Sequence, residues 1–286
     1  MNLIYIGSSG ALSLLPFKKL LQTDCEIIAV GIYKPVVFNN KIIALENESL
    51  ALAAQQAGIP VIDMSLPHDE IVKLSGSTDI DVMLMSCYAR RLPDEIIELA
   101  AKGCFNMHPS LLPGYRGPEP VFWQLKHASD MGISWHRVTS AFDAGDIVAQ
   151  EEVDIDDGLS HSQICRQLAE TGARLMLEIL PEIDHGTAKY RRQDEEKSSY
   201  YSYPLESDFD IDTAYDARQL YNFMRATQQF GHSYRYRYDH RVYALTAALD
   251  YDNKRTLESP VVQTDTLYIP CNEGVLIASY IDKMKD

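Results

Sequence analysis

Asp81-Val82-Met83-Leu84-Met85 and Cys104-Phe105-Asn106-Met107 are the stretches that decide the fold. The first is apolar almost throughout, as expected of a strand covered on both faces at the centre of a parallel sheet. The second reads as another strand, and Pro93 to Ala101, between them, as a helix with Pro93 near its first turn. Upstream the alternation continues. Leu3 to Ile6 is a buried first strand, Gly7-Ser8-Ser9-Gly10 a tight turn, and Leu12, Leu15, Lys19 and Leu20 mark a helix that Pro16 bends or delays. Ile27 to Ile32 is a second strand, Ser49 to Gly58 a helix capped by Ser49, and Val61-Ile62 a short third strand. Downstream, Gly132 to Val138 is a further strand. Residues 160–180 form an amphipathic helix with Ile164, Leu168, Leu175 and Ile179 on one stripe and Ser160 as its cap. Strands alternating with helices imply a doubly wound α/β domain, in which ligands bind beyond the carboxyl ends of the strands.

Lys189 to Ser202 is charged, rich in Tyr and Ser and aperiodic, and reads as a linker. After it come a helix over Ala214–Thr227, strand-like alternation over Tyr234–Tyr243 and one or two short strands over Thr266–Tyr280. The expected organisation is a catalytic domain at 1–188, a linker at 189–203 and a small, mainly β domain at 204–286. A chain of 286 residues suits a domain of about 180–200 residues plus a smaller one.

No apolar run approaches the ~20 residues of a membrane helix, and the start reads as a strand, with no basic n-region of a signal peptide. The five cysteines are widely spaced with no C-x-x-C pair. This argues against a disulfide framework or a zinc site and fits the cytoplasm, without metal. Net charge is −15, which lowers the expectation of RNA, since polyanion binding draws on Lys and Arg. Small-molecule substrates are favoured, with no membrane partner.

The chemistry lies in Asn106-Met107-His108-Pro109-Ser110-Leu111-Leu112-Pro113-Gly114-Tyr115-Arg116-Gly117, followed by Phe142-Asp143-Ala144-Gly145-Asp146. Strand period two projects Asn106 and His108 the same way. An amide can hold an oxyanion, an imidazole can take a proton and a carboxylate can orient that imidazole. Each also has a plainer reading: a capping Asn beside a hydrogen-bonded core His, and an acid in an ordinary turn. The loop with two prolines and Gly117 is costly to specify unless geometry matters. Gly7-Ser8-Ser9-Gly10 lacks the spacing of a dinucleotide loop and is taken as a strand-to-helix turn.

The long motif, with Asp-Ala-Gly-Asp-Ile at 143–147 after a further strand, resembles the 10-formyltetrahydrofolate-dependent formyltransferases. That family includes methionyl-tRNA formyltransferase, sugar-nucleotide N-formyltransferases and glycinamide ribonucleotide transformylase. The resemblance is dense from about Leu84 to Ile147 and implies a Rossmann-like catalytic domain. It implies Asn106 as the oxyanion donor, His108 as the proton acceptor and Asp143, in preference to Asp146, as the acid that supports it. The formyl donor would be 10-formyltetrahydrofolate. It would be bound by backbone and walls at Met85, Cys87, Tyr88, Arg90 and Leu92, and by the loop holding Thr139, Ala141 and Phe142. Arg90 and Arg91 depart from the small or apolar residues common there, and either meet the folate tail or stay solvated. Ser110, Tyr115, Arg116 and Gly117 would shape the acceptor side.

Which amine accepts the formyl group is a question of charge. In the tRNA enzymes a basic insertion follows the second strand; here Tyr33 to Asn47 carries only Lys34 and Lys41. The tail from Pro204 holds nine Lys/Arg against thirteen Asp/Glu, a net −4. It resembles a shortened, OB-like C-terminal domain of tRNA and sugar formyltransferases, able to pack by the catalytic mouth or to make a homodimer. Tyr234-Arg235-Tyr236-Arg237-Tyr238 could touch RNA or a nucleotide, but reads better as a half-buried strand with tyrosines inward and arginines solvated. A small amine, possibly an amino sugar nucleotide, is the first expectation. Methionyl-tRNA is the second, water (a formyltetrahydrofolate hydrolase) the third, and a silent folate-binding scaffold the last.

Overall fold

The computed structural model describes residues 1–33, 49–65, 67–88 and 90–281. The sparsely basic stretch after the second strand therefore lies, past Tyr33, outside the described residues. Two compact units form. The first comprises Met1–Pro120, Asp130–Asp154 and Cys165–Tyr201, the second Val121–Ser129, Ile155–Ile164 and Ser202–Asp286.

The first half of the chain runs β1 (Asn2–Gly7), α1 (Ala11–Leu20), β2 (Glu26–Ile32), α2 (Leu50–Gln56), β3 (Val61–Asp63), α3 (Asp69–Ser75), β4 (Ile80–Ser86), α4 (Asp94–Ile97) and β5 (Ala100–His108). Then come α5 (Pro120–Lys126), β6 (Gly132–Arg137), β7 (Ile147–Glu152) and α6 (His161–Asp184). The sheet order is β3-β2-β1-β4-β5-β6-β7, parallel through β5 and antiparallel beyond it. β4 is central and its apolar residues are buried, as its composition requires. α4 is much shorter than Pro93–Ala101, because Ala100 already pairs with Ile80 as the start of β5.

Local chemistry sets the helix ends. The Ser49 hydroxyl accepts from the Leu52 amide. At Ser160, the Ser160 amide donates to the Gln163 side chain at 2.9 Å and the Gln163 amide reaches back to the hydroxyl, a reciprocal cap. The amide of Ser8 is taken by Ser13 Oγ at 3.1 Å, so the Gly7–Gly10 turn is held by its own helix. Gly172 lets α6 meet β5: a Cβ there would lie 2.2 Å from Met107 Sδ. The buried Trp135 indole donates to the Gly172 carbonyl at 2.8 Å.

The second unit carries α7 (Ala217–Thr227) and β8 (Tyr234–Tyr238), β9 (Arg241–Asp252), β10 (Val261–Gln263), β11 (Thr266–Pro270) and β12 (Val275–Ile281). Its sheet, β10-β11-β12-β9-β8, is antiparallel and open, with β8 and β10 at its edges. Residues 121–129 belong here and not to the first unit, because the Phe122 ring packs 5.2 Å from Phe209 and 5.4 Å from Phe223. Tyr234 and Tyr236 face inward as expected. The arginines between them are not simply solvated: Arg235 pairs with Asp210 and lies 3.6 Å from Glu206, and Arg237 lies 3.9 Å from Asp210. Among the described residues no helix is long and apolar enough to cross a membrane.

The expected linker also differs from what folds. Residues 189–201 belong to the first unit. Arg191 exchanges backbone hydrogen bonds with Ile147 at 2.8 and 2.9 Å, and Gln193 is buried. The stretch has no periodicity because its contacts are isolated bridges and side-chain hydrogen bonds, to the start of β7 and to loops, with no repeating apolar face.

Candidate active site

β5 ends at the carboxyl edge of the sheet and delivers Asn106 and His108 on one face, two residues apart. β6 runs antiparallel beside it, placing His136 opposite Asn106 and Ser134 opposite His108. The Asp143 turn follows β6. Three chain segments therefore meet at one edge.

His108 is buried. Its Nε2 lies 2.8 Å from the Tyr115 carbonyl, an acceptor only, so Nε2 carries the proton and Nδ1 keeps the lone pair. That Nδ1 lies 3.6 Å from Asp143 Oδ1. Burial holds the imidazole below its ordinary range, with Asp143 pulling the other way. His136 Nδ1 donates to the Arg137 carbonyl at 3.0 Å, leaving Nε2 to accept from the Asn106 amide at 3.2 Å. The same Nε2 is 3.5 Å from Asp143 Oδ1. One carboxylate oxygen thus faces the lone-pair side of two neutral rings, and a proton arriving there is stabilised by all three groups.

Asp143 has φ +51, and its Oδ2 accepts from the Gly117 amide at 3.0 Å. Burial would raise its carboxyl, but His108 and His136 in the forms that carry a proton toward it, together with the Gly117 N–H, outweigh this and hold it well below the usual carboxylate range. Asp146 is exposed, and its carbonyl accepts from the Arg137 amide at 2.9 Å, a backbone role in the turn. Gly117 has φ +114, and a Cβ would sit 2.0 Å from the Tyr201 carbonyl oxygen.

Of the remaining expected residues, Ser110 and Arg116 turn inward. Ser110 is fully buried and donates to the Gly114 carbonyl at 2.8 Å. Arg116 is buried, with its guanidinium on Gln193 and on Glu195 at 2.8 Å. Both shape the loop from within and offer no side chain to an acceptor. Tyr115, at φ +58, stacks on Tyr201 with ring centroids 5.4 Å apart. The Met85 and Leu92 side chains belong to the apolar core, which leaves only their backbone for a ligand. Tyr88 donates to the Met64 carbonyl at 2.9 Å, and the Arg90 guanidinium lies 4.0 Å from the centroid of the Tyr33 ring. Cys87, Thr139 and Ala141 are exposed, and Phe142, next to the acid, is 50 % exposed.

Sequence reading missed three groups. His136 was taken only as part of a strand, because its role needs β6 to run antiparallel to β5. Gln193 was lost in the supposed linker. Glu119, two residues past Gly117, has a carboxyl that burial pushes up to about 7.

The formyl transferase family model matches residues 19–180. The chain belongs to the formyl transferase family. Among curated family members, methionyl-tRNA formyltransferase of Thermotoga neapolitana is 30 % identical over 177 residues, 61 % of this chain. The match spans only 56 % of that relative's length. Among solved structures, WlaRD, a sugar 3N-formyl transferase crystallised in the presence of dTDP and 5-N-formyl-THF, superposes with a TM-score of 0.69 at 19 % identity over 99 % of both chains. The Helicobacter canadensis N-formyltransferase, in complex with folinic acid and dTDP-3-aminofucose, gives 0.69 at 16 % identity over 97 % of this chain and 98 % of that one. These structures share the fold of this family member from end to end.

Proposed function

We propose that this formyl transferase family member moves a formyl group from 10-formyltetrahydrofolate to the amine of a small molecule, an amino sugar nucleotide being the leading acceptor. The observation that carries the reading is the convergence of Asn106, His108 and Asp143 at one sheet edge, with each ring tautomer set by a backbone carbonyl. The donor supplies a formyl carbon bonded to a nitrogen that can leave. Of its two N–H groups, Asn106 commits one to His136 and keeps the second for the formyl oxygen as it gains charge. His108 Nδ1 takes the proton of the attacking amine, Asp143 stabilises the imidazolium that results, and the same proton passes to the folate nitrogen as its bond to the formyl carbon breaks. The exposed Phe142 ring beside Asp143 suits one wall for a flat pteridine. No covalent enzyme intermediate is required, since positioning and electrostatics supply the rate.

A small acceptor is favoured because the arginines of the tyrosine-rich strand are already matched by Asp210 and Glu206. The two fold relatives crystallised with dTDP or dTDP-3-aminofucose suggest the nucleotide sugar. Methionyl-tRNA is the second reading, prompted by the 30 % identity to such an enzyme. The test is an amine screen with 10-formyltetrahydrofolate, followed by product mass. A formylated amino sugar nucleotide is expected. Formate released without any amine would instead mark a hydrolase.

A further inference from the structure

The amide of Gln193 is 4 % exposed and fully used. Its Oε1 accepts from Arg116 Nε at 3.2 Å and Nη2 at 2.8 Å. Its Nε2 donates to the carbonyls of Asp143 and Gly145, each at 2.7 Å. Arg116 lies between Tyr115, whose carbonyl fixes His108 Nε2, and Gly117, whose amide holds Asp143 Oδ2. One side chain therefore joins the loop that tethers the base to the turn that carries the acid.

That turn needs a restraint. Asp143 occupies left-handed backbone, and a Cβ on Gly145 would lie 1.9 Å from the Arg137 carbonyl. If the amide were lost, both carbonyls held by Gln193 would lose this donor, and two N–H groups of a buried guanidinium would lose this acceptor. An apolar side chain of similar length fills the volume and restores none of these bonds. The shortest release is for the Asp143 turn to move away from the His108 loop.

We propose that Gln193 is a positioning residue: it sets the separation of His108 from Asp143 by linking the Arg116 loop to the Asp143 turn, and so tunes the proton affinity of the base. For its rate effect, this inference rests on the proposed formyl transfer. For its structural effect it does not.

The test is a histidine NMR titration of the full chain, with the His108 ring signal assigned by its loss in His108→Asn. In Gln193→Met, the midpoint of His108 moves to lower pH by about half a unit or more, because Asp143 no longer favours the imidazolium. Turnover at neutral pH falls about tenfold or more. Lys197→Ala removes an exposed side chain of the same segment and leaves Gln193 and Arg116 in place; both readouts stay at wild-type values. An unchanged midpoint in Gln193→Met overturns the proposal even if turnover falls, since a merely structural role would lower turnover and leave the coupling as it is. If Gln193→Met does not fold, Gln193→Asn, too short to span both loops, must show the same shift. Absence of formyl transfer in the wild type would count against the reaction, not against the coupling, because the titration needs no substrate.

Discussion

His108 Nδ1 stands 3.6 Å from Asp143 Oδ1, while the opposite ring nitrogen is held by the Tyr115 carbonyl at 2.8 Å. The base is thereby oriented before any substrate arrives. Burial lowers its pKa, so the neutral form persists below the ordinary histidine range. The rate should hold through neutral pH and fall as pH drops through the depressed value. A profile of kcat/KM against pH checks this, and an acid limb above about 6.5, the unperturbed histidine value, would contradict it. Asp143→Asn should cost about 10²–10⁴ in kcat and move the acid limb lower still.

The His136–Asn106 contact makes a second prediction. Asn106→Ala should reduce kcat by about 10²–10³, the usual cost of an oxyanion donor. His136→Ala leaves the Asn106 amide free to rotate, and should lower kcat by a smaller factor with the donor KM unchanged. Steady-state kinetics with the donor varied up to saturation separates the two. Equal losses would mean that His136 does more than hold the amide.

Gly117→Ala should be damaging twice over. The new Cβ meets the Tyr201 carbonyl at 2.0 Å, in backbone that L residues rarely adopt. A loss of about 2–4 kcal/mol in chemical denaturation is expected, together with loss of turnover as the Asp143 tether shifts.

Glu119 titrates with the sign opposite to Asp143. Its folded pKa is raised to about 7, so the ionised form is disfavoured by folding. Its destabilising effect grows as pH rises through the unfolded value, near 4.3, and is complete above the folded one. Glu119→Gln should therefore raise the melting temperature at pH 8 and leave it nearly unchanged at pH 4. Equal shifts at both pH values would refute the assignment.

RNA offers a cleaner exclusion. With Arg235 and Arg237 matched by acids, affinity for charged initiator tRNA should be weak, with little dependence on salt. A steep decline of affinity with salt would revive the second reading.

Much of the fold was legible, because β1 and β4 are buried apolar runs that alternate with helices, the pattern of a parallel sheet covered on both faces. Asn106 and His108 were legible through their spacing at a strand end, and Asp143 through the motif it completes. His136 was hidden because its neighbour is fixed by strand direction, which periodicity does not encode. Ser110 and Arg116 were expected to shape the acceptor side, and polarity alone cannot distinguish a side chain that contacts a ligand from one that braces its own loop. Gln193 left no pattern at all, since a single buried amide has no period.

Residues 199–201 pair with the catalytic loop by backbone: the Arg116 amide donates to Ser199 and the Tyr201 amide to Arg116, each at 2.9 Å. During synthesis, Asn106, His108 and Asp143 leave the ribosome well before residues 199–201 do. On the proposed assignment, the nascent chain carries Asn106, His108 and Asp143 before the segment that braces their loop has been made. A fragment ended near 188 would keep those three side chains and lose the Gln193 and Ser199–Tyr201 bonds that hold the Arg116 loop.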